Sequence, residues 1–206
     1  ITPLNWPAAG STPSTSSPVI DSRVTRSSWP ALRSTQLRNH CSLNFIIDFL
    51  LHYQPQLDTR VGQIIGAEAL LRWQHPTRGL IGPASFMHVL EESGMILDVG
   101  HWVLEEACRF VARLLKSGLV APETFSISIN ISPRQFRQPE LVSGVATVVA
   151  AEGIPAQCLK LEITEGIVIH SISDTVDKMR ELRSMGVRFA IDDFGTGYSS
   201  LSYLKN

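Results

Sequence analysis

Three cysteines, no excess charge of either sign and no long apolar run are what this 206-residue chain has little of. Cys41, Cys108 and Cys158 are far apart and odd in number. That argues against a disulfide framework or a zinc knuckle and for a reducing compartment, the cytoplasm. Eighteen basic and 19 acidic residues leave a formal net charge of -1, so no basic footprint for DNA is present. The best apolar run, Phe45 to Leu51, is broken by Asp48 and falls well short of the ~18 residues that a membrane span needs. What is there is a 44% hydrophobic fraction with evenly balanced charge. This excludes a disordered chain and is ample for one domain core plus a tail.

The chain changes character near residue 42. Residues 1–42 are rich in Ser, Thr and Pro, with Asp21 the only acid. They have neither helical nor strand periodicity, so they cannot bury enough apolar surface to offset their ordering entropy. This stretch reads either as a linker from an upstream domain or as a non-native segment, an expression scar or a mistranslated stretch. Its four basic residues and one acid leave 14 basic and 18 acidic residues in 43–206.

From Phe45 onward, short alternating runs are interleaved with longer helix-period runs. Strands are expected at 49–58, 64–73, 124–132, 158–165 and 188–194. Helical patterns fill 94–118, 139–153 and 173–186, with Gly118, Gly153 and Gly186 as stops and Ser173 or Asp174 as a cap. Strand and helix in turn, at ~25–35 residues per unit, make a parallel α/β architecture.

Alternation also separates the faces of each strand. Ile127, Ile129 and Ile131 oppose Ser126, Ser128 and Asn130. Leu159, Leu161 and Ile163 oppose Lys160, Glu162 and Thr164. Ala67, Ala69 and Leu71 oppose Glu68, Leu70 and Arg72, and Ile191 opposes Asp192. Helix-covered parallel strands are normally apolar on both sides. Here one side instead converges on Glu68, Asn130, Glu162 and Asp192, the inward position that builds the site at one end of an α/β barrel. Carboxylates gathered in this way repel one another, and a hard divalent cation with all-oxygen ligation relieves the conflict, which suits magnesium or manganese. Asp193, next to Asp192 where the chain turns, is available to a neighbouring second cation. Gly195 and Gly197 suit the turn that follows.

Taken together, Glu68-Ala69-Leu70 with Leu71-Arg72-Trp73, Tyr53-Gln54-Pro55, Asn130-Ile131-Ser132 with Gln135-Phe136, Glu162-Ile163-Thr164-Glu165 and Asp192-Asp193-Phe194-Gly195-Thr196-Gly197 resemble the EAL domain, the bacterial cyclic di-GMP phosphodiesterase domain. The resemblance implies a TIM-like (β/α)8 barrel with an antiparallel first strand. It also implies metal-dependent hydrolysis of cyclic di-GMP to linear pGpG at a two-metal magnesium or manganese site. By the same resemblance Glu68, Asn130, Glu162 and Asp192 look like ligands of the first metal, and Asp193 like a ligand of the second. Arg72 is similar to a phosphate-contacting arginine, and Gln54 to a substrate-contacting residue. Glu165 matches a glutamate that holds its loop in the metal-competent shape. The implied partners are cyclic di-GMP, a potential second copy in a homodimer, and an upstream sensory or GGDEF-type domain.

Up to Asn206 the family's later Lys-Ile-Asp strand, a general-base glutamate and a final substrate-binding glutamine are not met, and Lys205 is not the family's catalytic lysine. The expected fold is therefore a partial barrel, residues 43–206, with its C-terminal part missing. Residues 1–206 alone are expected to hydrolyse little and to aggregate. A non-catalytic cyclic di-GMP receptor, or a protein-interaction module on the same scaffold, is the alternative to an enzyme.

Overall fold

Apolar alternation from Phe49 onward becomes one sheet in the computed structural model, which describes residues 48–164 and 172–192. Strand β1 (Asp48–Asp58) turns back antiparallel on β2 (Gln63–His75), and the short β3 (Gly79–Ile81) hairpins onto the end of β2. Helices α1 (Met87–Ser93) and α2 (Ile96–Lys116) lead to β4 (Ser126–Ile131). A one-turn helix α3 (Pro133–Phe136) and α4 (Leu141–Glu152) precede β5 (Leu159–Thr164), and α5 (Ile172–Ser184) precedes β6 (Arg188–Asp192). The strands run in the order β1-β2-β4-β5-β6, and β2, β4, β5 and β6 are mutually parallel. The five expected strands and the reversed first strand are all present. The segment 1–42 lies outside the described residues.

The outer face of the central strands forms the core. Ile127, Ile129, Ile131, Leu159, Leu161 and Ile163 are all buried. Against β4 and α4 lies α2, whose buried Ile96, Val99, Val103, Leu104, Ala107, Cys108 and Val111 recur every three or four residues. Each such aliphatic side chain stabilises the fold by ~1.5–3 kcal/mol. Burial pushes the Cys108 thiol up to about 12, so both it and the buried Cys158 behave as small apolar fillers. Among the described residues no helix is long and apolar enough to cross a membrane.

Two local readings need correction. The helix read at 94–118 is α2, unbroken from Ile96 to Lys116, and Gly94, at φ 82, closes α1 rather than opening α2. Neither Ser173 nor Asp174 is a cap, since α5 begins at Ile172. Asp174 instead occupies the first turn, where its charge complements the helix dipole, and it pairs with Lys178 at 3.2 Å. Farther along the chain, Glu106 of α2 holds Arg109 at 2.7 Å, and Arg109 reaches Glu152 of α4 at 3.1 Å, tying the two helices together.

Candidate functional site

Between β4 and α3 the chain turns a corner that the sequence builds with a capping box. The Ser132 hydroxyl accepts from the Gln135 amide at 3.2 Å, and the Gln135 side chain accepts from the Ser132 amide at 3.1 Å. Gln135 is buried in a notch on α2 that only glycine leaves open, since a Cβ on Gly100 would lie 1.8 Å from Gln135 Nε2. Lys178 of α5 donates to the Phe136 and Gln138 carbonyls at 3.2 and 3.1 Å, satisfying groups that end α3. Two helices therefore fix the segment that follows Asn130.

The register then places the polar candidates. Glu68 of β2 lies beside Ser128 of β4, Ser128 beside Lys160 of β5, and Lys160 beside Arg188 of β6. Asn130 and Glu162 are direct partners two residues above that row, and Asp192 stands four residues beyond Arg188. In a closed α/β barrel the strands tilt and stagger by about one residue per strand, so side chains at one height climb the register in this way. Three strand steps with a climb of four residues keep the inward parity. The four candidates thus lie at inward positions that such a stagger would bring to one level.

The described contacts agree with that level. Asn130 Nδ2 donates to Glu68 Oε1 at 2.8 Å across 62 residues of sequence. Burial raises the Glu162 carboxyl above its ordinary range, a hydrogen bond from Ser128 lowers it, and Glu68 raises it again; Lys160 lowers it and Asp192 raises it. Both neighbouring acids are therefore close enough to be felt. Gln54 of β1 is the direct register partner of Glu68. Arg72 shares the Glu68 face, four residues on, and its guanidinium donates to the Leu71 carbonyl at 2.8 Å. Glu165 and Asp193 lie outside the described residues. Trp73 packs into an aromatic group with Phe49, His75 and Phe86.

Among the described residues no three His, Cys, Asp or Glu side chains come together as a ready metal cage. The donor set nonetheless fits a hard cation. Two carboxylates and one amide line the inward face, burial and then the neighbouring acids raise the Glu162 carboxyl, and a half-turn of the Asn130 amide would present oxygen instead of NH2. Residue-by-residue reading missed three members of the surroundings. Gln56 Nε2 donates to the Ser128 hydroxyl at 3.4 Å, and Lys160 Nζ donates to Gln56 Oε1 at 3.1 Å, 3.9 Å from Glu162. Their inward parity was the available signal.

The EAL domain profile matches residues 35–206. The bifunctional diguanylate cyclase/cyclic di-GMP phosphodiesterase MucR of Pseudomonas aeruginosa is 42% identical over 156 residues, 76% of this chain and 22% of MucR. The cyclic di-GMP phosphodiesterase NbdA of the same organism is 41% identical over 155 residues, 75% of this chain and 19% of NbdA. A solved PaMucR phosphodiesterase in complex with c-di-GMP superposes with a TM-score of 0.71 at 41% identity, covering 76% of this chain and 62% of that one. The EAL enzyme Bd1971, with cAMP and cyclic di-GMP bound, gives 0.71 at 34% identity, covering 82% and 44%. The chain spans about a fifth of the length of curated relatives it matches, 22%, 18% and 19% in three cases.

Proposed function

Because this chain belongs to the EAL domain family, whose fold is a TIM-like barrel, we propose that the protein carrying it hydrolyses cyclic di-GMP to linear pGpG with divalent metal ions. The observation that carries this reading is the Asn130–Glu68 hydrogen bond, together with a register that sets Glu68, Asn130, Glu162 and Asp192 at inward positions of four parallel strands. Glu68, Asn130, Glu162 and Asp192 would hold a first magnesium or manganese ion, and Asp193 would serve a second. When bound, such ions supply Lewis acidity, acidifying a water for attack and neutralising charge at the phosphate. The chain's own residues do the rest. Arg72 offers a planar fork of donors to a phosphate oxygen. Gln54, across from Glu68, offers an amide to the guanine or its phosphate. Glu165, outside the described residues, would hold the segment that follows it in a metal-competent shape.

An acidic domain can take a dianionic dinucleotide only with cations present, so substrate affinity follows metal occupancy. We assign residues 43–206 to this domain and read 1–42 as a linker or non-native segment, with an upstream sensory or GGDEF-type partner and a homodimer as further proposals. The buried, unpaired Cys108 and Cys158 accord with action in the cytoplasm. Residues 1–206 alone would present β1 and β6 as open edges among the described strands, which favours aggregation over turnover.

The test is cleavage of cyclic di-GMP by the full-length protein with manganese, without it, and with Glu68→Ala. Metal-dependent appearance of pGpG, lowered at least about a hundredfold by the substitution, supports the reading, since even outer-shell changes at metal sites cost ~10–100-fold. Unchanged turnover in Glu68→Ala overturns the ligand assignment. Binding without turnover would make the protein a receptor.

A further inference from the structure

The inward face of β5 carries a cation where a cation site is least expected to tolerate one. Lys160 stands two residues before Glu162, on the same face and one layer deeper. Its ammonium lies 3.1 Å from Gln56 Oε1 and 3.9 Å from Glu162 Oε1, with the Lys160 side chain 23% and that of Glu162 12% exposed. Ser128, wholly buried, lies between them in the network by accepting from Gln56. Arg188 is the register partner of Lys160 on β6.

We infer that Lys160 is a positioning residue whose fixed charge, held by Gln56 beneath Glu162, loosens the grip of the site on a divalent cation; the inference rests on the metal-site reading above. At 3.9 Å the pair is longer than a charge-assisted hydrogen bond of ~2.7–2.9 Å, so Lys160 acts on Glu162 chiefly through its field. In the cation-free protein that field offsets the mutual repulsion of Glu68, Glu162 and Asp192. Were a divalent ion held by Glu162, the same charge would repel it. A purely structural lysine has a different signature: its removal orphans Gln56 Oε1 and lowers stability, with no reason for metal to bind more tightly.

The experiment is manganese binding to the full-length protein without substrate, read from the loss of the free-ion EPR signal, with folded fraction checked by circular dichroism. Lys160→Met is expected to bind manganese at least about fivefold more tightly, because a like charge in a partly screened site is gone. Lys160→Arg, which restores the charge, is expected within about twofold of the parent protein on the same reasoning. Lys160→Gln is the second neutral variant should Met fail to fold. Equal or weaker affinity in the folded neutral variants, while the parent binds manganese and Glu68→Ala does not, overturns the role of Lys160 alone. If the parent shows no binding that depends on Glu68, the metal-site reading falls and Lys160 falls with it.

Discussion

The two faces of β4 and β5 make opposite bargains with the same backbone. Outward, Ile127, Ile129, Leu159, Leu161 and Ile163 are sealed beneath helices, none more than 1% exposed. Inward, the next residues along the chain are Ser128, Asn130, Lys160 and Glu162, a set that ranges from wholly buried to exposed. The outer face holds the fold together by transfer of hydrocarbon from water. The inner face holds groups that cost free energy to gather, and the Glu162 carboxyl is raised by burial first and by Glu68 and Asp192 after it. Stability and chemistry are thus separated by one-residue alternation, and substitutions one position apart should act on different quantities.

The largest effect on folding should come from Leu161→Ala. Removing a wholly buried side chain between strand and helix should cost ~2–5 kcal/mol, read as a lower denaturation midpoint in urea. A loss under about 1 kcal/mol would mean that the outer face is not the core. Gly100→Ala sharpens the contrast from the helix side. Its Cβ would collide with Gln135 and should cost ~1–3 kcal/mol by overpacking. Because Gln135 braces the corner after Asn130, manganese affinity should fall as well. A variant that is destabilised but binds metal normally would detach the corner from the site.

The smallest effect, and the one of opposite sign, belongs to Glu162→Gln. The folded pKa of Glu162 is raised. The stability this group contributes is therefore complete below the unfolded value of ~4.3 and is lost as pH rises through the folded value. The cation-free Gln variant should accordingly be the more stable protein at neutral pH, with the advantage shrinking on acidification toward pH ~4. Thermal melts in chelator at several pH values read this directly. A Gln variant that is less stable at neutral pH would show that Glu162 is held by its hydrogen bonds more than it is strained by its neighbours.

Much of this contrast was legible in the sequence. The five strands follow from alternation, and the stops at Gly153 and Gly186 match the ends of α4 and α5, where both glycines take positive φ. The shared face of Glu68, Asn130, Glu162 and Asp192 was legible because parity alone assigns an inward side. The short elements were not. Three residues of β3 and seven of α1 are too few to show a period, and Gly94, which closes α1, sits where a helix start was read. Nor was the pairing of Lys160 with Gln56, which joins residues 104 positions apart. It depends on inter-strand register and on the bulge between Gln56 and Leu57, neither of which a single strand encodes. The height of the site was hidden for a related reason. Glu68, Glu162 and Asp192 occupy three different register rows, and the stagger that relates those rows is not encoded in any single strand.

The claim beneath all of this is that those side chains share one cation. A crystal of the full-length protein soaked in manganese, with anomalous scattering recorded, measures it. The account predicts a peak about 2.0–2.3 Å from oxygens of Glu68, Glu162 and Asp192, with the Asn130 amide turned to offer Oδ1. A fully soaked crystal in which Asn130 Nδ2 still bonds Glu68, with the strongest protein-bound peak elsewhere, would contradict it.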